Sequence, residues 1–162
     1  LGIMPELSPV FLDRFMSSIY MSYVERTEEK RVIRSSYYIE DSLSSNGVEP
    51  AVSLNNVLNA IEAVREVYVD DVILDYMMDV IESIRRDDRL SVGVSTRASI
   101  SLYRLSQAYA LINGRDYVIP DDVKAMALPA LSHRLIIKPE LRDVVKPMDI
   151  ISEIISKIPI PR

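Results

Sequence analysis

The chain has 162 residues, of which 48% are hydrophobic and 27% are charged, a balance typical of a folded globular domain. It contains no cysteine and one histidine, which excludes disulfide scaffolds, cysteine nucleophiles and zinc sites that need several histidines. The net charge of −5 argues against a basic nucleic-acid-binding protein, and no apolar run approaches the ~20 residues of a transmembrane helix. We therefore expect a soluble, cytoplasmic protein, and a first residue other than methionine indicates a fragment of a longer chain.

The first forty residues carry short and local patterns. Pro5 and Pro9 predict an extended start. Apolar and other residues alternate over residues 19–23, and this period of two predicts a strand. Thr27 is followed by two glutamates and then by arginines, which predicts the N-cap and the charge distribution of a short helix.

Residues 41–52 are polar and rich in turn-forming residues, which predicts a linker or surface loop. Beyond this segment, apolar residues recur every three or four positions, the period of amphipathic helices. The clearest pattern follows Asp70, and its apolar face comprises Ile73, Met77, Val80, Ile81 and Ile84. The predicted N-caps or first residues of the helices are Ser53, Asp70, Ser95, Pro120 and Pro147.

Turn residues and charges separate these helices. Residues 85–94 form a charged stretch that we predict to be a loop, and Gly114 is a predicted helix stop. Residues 66–69 are predicted to be extended. A bundle of four or five helices is the natural way to bury the apolar faces, so the predicted fold class is mainly α.

Phosphate-binding and magnesium-binding motifs are absent from the sequence. None of the four glycines precedes a lysine, so there is no phosphate loop. No Asp-Glu dipeptide follows an apolar strand to hold Mg²⁺. We therefore expect that this chain alone does not hydrolyse a nucleoside triphosphate.

Arg97 is the most informative single residue. If Ser95 caps the helix, Arg97 lies in the first turn, where a cation opposes the helix dipole. A bound anion would remove this conflict, because free N–H groups and the guanidinium would both point at it. The alternative is a solvated arginine that pairs with Asp87 or Asp88.

The other candidates admit simple structural explanations. Arg14 could form a surface ion pair with Asp13, or it could be presented to a phosphate of another molecule. Residues 133–134, His-Arg, are cations at a predicted helix end, where they are electrostatically favourable. Residues 121–122 could form a metal site, but acidic residues are common in first helical turns.

Seven segments of the chain form a specific combination. They are Leu12–Phe15, Val64–Asp70, Gly93–Ser99, Gln107–Ala110, Gly114–Lys124, Leu131–Leu135 and Ile158–Pro161. In this order and spacing they resemble the C-terminal part of MoxR-type AAA+ ATPases, from the end of the ATPase core through the helical lid.

This resemblance implies roles for particular residues. Arg14 matches the arginine finger, which acts in trans on the γ-phosphate bound by a neighbouring subunit. Arg97 matches the sensor-2 arginine at the start of a lid helix, and it would contact phosphate together with Ser95. The resemblance does not decide whether Arg97 acts in cis or in trans.

The resemblance also implies an architecture and a function. Residues 1–40 would be a remnant of the AAA+ core with a short strand and helix, residues 41–52 a linker, and residues 53–162 the helical lid domain. The full-length protein would use ATP and Mg²⁺ in a ring, expected to be a hexamer. It would remodel or assemble partner proteins in a chaperone-like way, with a von Willebrand A domain protein as a client.

The sequence departs from the family pattern at two informative positions. Thr96 stands where the family often has proline. Ile119 stands where the family usually has a capping threonine, a change expected to cost about 1 kcal/mol of helix stability.

Two other functions remain open from the residues alone. A non-catalytic helical adaptor for a protein partner would not need Arg14 or Arg97. A helical nucleic-acid-binding module is disfavoured by the net negative charge, and it would show salt-dependent binding of a duplex.

Overall fold

The computed structural model describes residues 7–44 and 49–161, so Pro5 and residues 45–48 of the predicted linker lie outside it. The described chain divides into two compact units. One unit joins the residues up to Ile19 with those from Glu62 onward, and the other is Tyr20–Ile61. The helices are α1 (Pro9–Leu12), α2 (Arg26–Arg34), α3 (Ser36–Ser44), α4 (Leu54–Glu66), α5 (Asp71–Arg85), α6 (Thr96–Ile112), α7 (Pro120–Leu131) and α8 (Pro147–Lys157).

The predicted mainly helical fold is confirmed. Two short 3-10 helices, Ser132–Arg134 and Pro139–Leu141, follow α7. Within the described residues, none of the helices combines the length and the apolar character needed to cross a bilayer.

Helix α5 begins and packs as its sequence predicts. The carboxylate of Asp70 accepts a hydrogen bond from the backbone N–H of Val72 (2.9 Å), which caps the helix. Its predicted apolar face is buried, while the opposite face carries charged residues toward solvent. Ser53 caps α4 in the same way, because its hydroxyl accepts from the N–H of Asn56 (3.1 Å).

Helices α5 to α8 enclose the hydrophobic core of the larger unit. Helix α6 packs along α7, and α5 and α8 also contact this pair. Side chains from all four helices are completely or almost completely buried. They include Ile81, Ile84, Leu102, Val123, Leu131, Ile150 and Ile151.

The turn between α6 and α7 confirms two further predictions. Gly114 has a φ of 75°, a left-handed conformation that glycine adopts without steric cost, and it follows the C-cap of α6. Pro120 is the first residue of α7. The helix continues past Pro129 to Leu131.

The described residues form two short pairings of extended backbone, and the first corrects the predicted loop at residues 85–94. Within the stretch predicted as a charged loop, β1 (Leu90–Val92) pairs antiparallel with β2 (Ile136–Ile137). Tyr68, in the predicted extended segment, forms a parallel bridge to Tyr117. Each pairing joins residues that are distant in sequence, which a local pattern does not reveal.

The unit Tyr20–Ile61 contains α2, α3 and the first part of α4. The predicted helix near Thr27 is present, but it begins at Arg26, and its N-cap residue Glu25 makes no capping hydrogen bond through its side chain. Helix α3 covers the first four residues of the predicted linker.

The predicted strand at residues 19–23 is wrong. This segment has no regular secondary structure, and its alternating side chains Ile19, Met21 and Tyr23 are exposed. A strand needs a neighbour to pair its backbone N–H and C=O groups. No described segment pairs with residues 19–23, so the alternation alone does not produce a strand.

Candidate functional site

The N-terminus of α6 carries the predicted anion-binding arginine. Arg97 lies in the first turn, and 61% of its side chain is exposed. Ser95 is the N-cap residue with extended backbone dihedrals, but its side chain makes no capping hydrogen bond. The hydroxyl of Ser95 instead donates to Asp13 Oδ1 (2.8 Å). The Ser95 hydroxyl and the Arg97 guanidinium therefore contact the same carboxylate.

Asp13 is the acceptor at the centre of this cluster. Arg97 Nη1 lies 3.4 Å from its Oδ2 atom, and Arg134 Nε lies 3.2 Å from its Oδ1 atom. Two cations and one hydroxyl thus surround a single carboxylate. The alternative pairing of Arg97 with Asp87 or Asp88 is wrong: Arg97 pairs with Asp13, and Asp87 pairs with Arg89.

Arg134 fixes the segment that contains Asp13. Only 2% of its side chain is exposed. Its Nη2 atom donates to the backbone carbonyls of Asp13 (3.2 Å) and Phe15 (2.7 Å) and to Ser101 Oγ (2.9 Å), and its Nη1 atom donates to the carbonyl of Ala130 (2.6 Å). A planar guanidinium can satisfy several acceptors in fixed directions, which suits this position.

His133 and Ser18 add a second set of contacts to the same segment. A hydrogen bond joins His133 Nε2 to the carbonyl of Phe15 (3.0 Å), and another joins His133 Nδ1 to Ser18 Oγ (3.1 Å). Ser18 Oγ also lies 3.1 Å from Ser132 Oγ, and the Ser18 N–H donates to the carbonyl of Pro129 (2.9 Å). The end of α7 and the turn after it therefore hold residues 13–18.

Arg14 lies on this held segment and takes no part in the cluster's ion pairs. It is exposed, and its side chain makes no ion pair within the described part of the chain. The backbone around it is ordered by the N–H of Arg14 donating to the carbonyl of Phe11 (3.1 Å). The rings of Phe11 and Phe15 meet edge to face at a centroid distance of 5.3 Å. The expected local ion pair between Asp13 and Arg14 is wrong.

Charge and burial set the protonation states in the cluster. Burial raises the pKa of Asp13. The hydrogen bonds from Ser95 and Arg97 and the charge of Arg134 lower it, and together they outweigh burial, so the pKa lies below its usual value. Burial lowers the pKa of His133, while its hydrogen bond to the Phe15 carbonyl opposes the shift. At neutral pH the cluster therefore contains an ionised Asp13 and a neutral His133.

A small cleft opens beside this cluster. Its volume is about 190 Å³, and Asp13, Ser95, His133 and Arg134 contribute its polar lining. Sites for whole small molecules usually enclose about 300–1,000 Å³. The cleft is therefore too small to enclose a nucleotide.

The acidic pair at the start of α7 has a structural role. Asp122 is 1% exposed, and it accepts two hydrogen bonds of 2.6 Å from Arg115 and one of 2.9 Å from the N–H of Ile119. This carboxylate supplies part of the capping that Ile119 cannot provide. Asp121 pairs with Lys124. Among the described residues, no group of acidic residues and histidine is arranged to hold a metal ion.

The structure brings together two of the three predicted site residues. Ser95 and Arg97 share the carboxylate of Asp13, whereas Arg14 lies next to Asp13 in sequence and outside its ion pairs. Sequence reasoning missed the roles of Asp13 and Arg134. The available signal was the position of Arg134 four residues after Ala130, which continues the apolar face of α7 and predicts burial.

Comparisons with known proteins agree with the fold. Residues 82–154 match the AAA lid domain family. The chain is 34% identical to the uncharacterized protein YeaC of Bacillus subtilis, with 93% of this chain and 46% of that protein aligned. It is 26% identical to the chaperone MoxR1 of Mycobacterium tuberculosis, with 93% of this chain and 41% of that protein aligned.

A solved crystal structure has the same fold as this chain. The crystal structure of a proposed ATPase from Cytophaga hutchinsonii superposes with a TM-score of 0.84 at 29% identity. The match covers 96% of this chain and 49% of that one. The chain thus spans about half the length of the relatives that it matches.

Proposed function

We propose that this chain, which contains an AAA lid domain and is similar to the C-terminal part of MoxR-type AAA+ ATPases, couples ATP binding and hydrolysis to the remodelling of partner proteins. In the longer ATPase that contains it, Arg97 acts as the sensor-2 arginine and Arg14 as an arginine finger. The exposed guanidinium of Arg97 at the N-terminus of α6 is the observation that carries the proposal.

The role of Arg97 is supported by its local electrostatics. The first turn of α6 presents N–H groups and the positive end of the helix dipole, which favour a phosphate. Arg97 adds a guanidinium that can form charge-assisted hydrogen bonds to phosphate oxygens, and the Ser95 hydroxyl adds a further donor. Its ion pair with Asp13 is long (3.4 Å), and the Arg97 side chain is 61% exposed, so a phosphate can replace the carboxylate at little cost.

The role of Arg14 is supported by a free side chain on a fixed backbone. An arginine finger must reach a phosphate bound by another subunit, so its guanidinium has to be exposed and not paired within its own chain. Arg14 meets both conditions within the described residues. The contacts that Arg134 and His133 make with residues 13–18 hold the backbone from which it projects.

The chemistry is phosphoryl transfer from ATP to water. Mg²⁺ bound with ATP would neutralise part of the phosphate charge. This chain's residues would stabilise the charge that develops on the transferred phosphoryl group through Arg14 and Arg97. Since no described cluster fits a metal ion, the ligands of Mg²⁺ would come from the nucleotide and from polypeptide outside this chain.

The name of one relative supports the proposed biological role. That relative is named a chaperone, which supports chaperone-like remodelling or assembly of partner proteins. The proposed location of this activity is the cytoplasm. A ring, expected to be a hexamer, would place Arg14 of one subunit against the nucleotide of the next. A von Willebrand A domain protein is the proposed class of client.

Steady-state ATP turnover by the longer ATPase tests these roles. Arg14→Ala and Arg97→Ala should each lower kcat by roughly a hundredfold or more, because each removes a charge that stabilises the transition state. Arg104→Ala is the matched control, since Arg104 is another exposed arginine on α6. Wild-type turnover in both test variants, with intact folding, would contradict the proposal and favour the helical adaptor.

A further inference from the structure

We infer that Asp13 is a positioning residue that links the state of Arg97 to the placement of Arg14. Its carboxylate holds Arg97 when no phosphate is bound, and it releases Arg97 when a nucleotide phosphate takes its place. This inference rests on the proposed function and adds a coupling between the two arginines.

The first step of the argument is the shared carboxylate. Asp13 contacts Ser95 Oγ at 2.8 Å, Arg134 Nε at 3.2 Å and Arg97 Nη1 at 3.4 Å. The same hydroxyl and the same guanidinium are the groups proposed to bind phosphate. Asp13 therefore occupies the position of an anionic ligand, and it competes with a phosphate for Arg97.

The second step is the difference between the two arginines that contact Asp13. The Arg134 side chain is 2% exposed and donates to four other acceptors, so it stays in place when Asp13 loses another partner. Arg97 is 61% exposed, and its contact with Asp13 is the longest of the three. Exposed ion pairs change an equilibrium constant by about fivefold or less. Arg97 is thus the partner that can leave.

The third step is the proximity of Asp13 to Arg14. Both residues lie in the turn that follows α1, where the N–H of Asp13 donates to the carbonyl of Pro9 and that of Arg14 to the carbonyl of Phe11. A change in the contacts of the Asp13 side chain therefore acts on the turn that bears Arg14. Because coupling between two sites is reciprocal, the placement of Arg14 would also influence phosphate binding at Arg97.

A double-mutant cycle on nucleotide affinity tests the competition. The probes are ADP and a non-hydrolysable ATP analogue, titrated into the longer ATPase. Asp13→Asn keeps the shape of the side chain and removes its charge, so it should lower Kd by about two- to fivefold. In the Arg97→Ala background the same substitution should lower Kd clearly less, because the cation for which Asp13 and the phosphate compete is gone.

A second cycle tests the link to Arg14. At saturating ATP, Asp13→Asn should lower kcat by about threefold or more although binding is tighter. In the Arg14→Ala background it should cause no further loss. A purely structural role would change the melting temperature and would lower activity in both backgrounds.

Controls separate this inference from the proposed function. Asp121→Asn, which removes an exposed carboxylate at the start of α7, should change neither Kd nor kcat. If Asp13→Asn lowers the melting temperature, Asp13→Glu keeps the charge and should leave Kd within about twofold while kcat falls.

The outcomes lead to distinct conclusions. An unchanged Kd in a folded Asp13→Asn variant overturns the competition, as does an equal shift with and without Arg97. An unchanged kcat overturns the link to Arg14. If Arg97→Ala itself leaves nucleotide affinity and turnover unchanged, the proposed sensor-2 role fails, and this inference fails with it.

Discussion

At the scale of single residues, Arg134 connects most of the candidate site. It joins the carboxylate and carbonyl of Asp13, the carbonyl of Phe15, Ser101 on α6 and Ala130 on α7. A buried cation with this many acceptors is tolerated because hydrogen bonds and an opposite charge compensate for its lost hydration. Removing it would leave several of those acceptors without a donor.

We predict that Arg134→Met lowers the free energy of unfolding by about 3 kcal/mol. Methionine fills much of the same volume but donates no hydrogen bond, so Asp13 and the backbone carbonyls lose their partner. Arg134→Lys should also destabilise, since a single ammonium group cannot reach all the acceptors. Urea unfolding followed by circular dichroism measures both effects, and a change below about 1 kcal/mol for methionine would contradict this role.

The sequence singles out Arg14 and Arg97 as candidates, but it does not reveal the residues that lie around them. Arg97 is singled out by its conflict with the helix dipole, which is a local signal. Its partner Asp13 lies 84 positions away in the chain, and the acceptors of Arg134 lie on three separate segments. Contacts of this kind depend on tertiary packing, so local periodicity and capping patterns cannot reveal them.

At the scale of elements, helix ends determine where the site residues lie. Asp70 and Ser53 cap their helices as predicted, because each side chain needs only a nearby backbone N–H. Ser95 has the backbone of an N-cap, but its hydroxyl donates to Asp13 instead of accepting from the helix. At the N-terminus of α6, which is proposed to bind phosphate, the tertiary hydrogen bond from Ser95 to Asp13 thus takes the place of a local capping hydrogen bond.

Gly114 offers a test of the turn that joins α6 to α7. Its φ of 75° is unfavourable for a residue with a side chain, although no atom lies within 4 Å of the position that a Cβ would occupy. We predict that Gly114→Ala lowers the free energy of unfolding by about 1 kcal/mol through the backbone alone. Gly114→Asn should cost less, because asparagine adopts this conformation more readily. Equal stability of all three proteins in urea unfolding would contradict the argument.

At the scale of the whole molecule, the helical core is the part that the sequence predicts best. The apolar face of α5 follows the helical period and is buried at the predicted positions. Helices α7 and α8 also bury apolar residues that recur every three or four positions. The segment Tyr20–Ile61 is different, since its apolar residues such as Tyr37, Leu43 and Leu58 are exposed in the described structure. Alternation at residues 19–23 predicted a strand, but strand formation requires a partner that local patterns cannot specify.

The single histidine gives the whole molecule a pH dependence. Burial lowers the pKa of His133 in the folded state, whereas the unfolded state has the ordinary value near ~6.5. Between these two values the unfolded chain binds more protons, so acid favours unfolding. We predict that the free energy of unfolding is constant just above pH ~6.5 and falls as the pH decreases below it.

Urea unfolding at pH ~5.5 and ~7.5 measures this effect, and His133→Asn should reduce the difference between the two pH values. The carboxylates of Asp13 and Asp122, whose pKa values are also lowered in the fold, should add a second loss of stability below pH ~4. An equal decrease between pH ~7.5 and ~5.5 in the wild type and in His133→Asn would assign the effect to other groups.

The central claim is that Arg14 acts on a nucleotide held by a neighbouring subunit. The most direct measurement mixes two inactive forms of the longer ATPase, one carrying Arg14→Ala and the other a disabled phosphate loop. In mixed rings, an intact Arg14 can face an intact nucleotide site, so turnover should recover to a clear fraction of the wild-type rate. If the mixture stays as inactive as either form alone while rings still assemble, Arg14 does not act across the interface and the claim is contradicted.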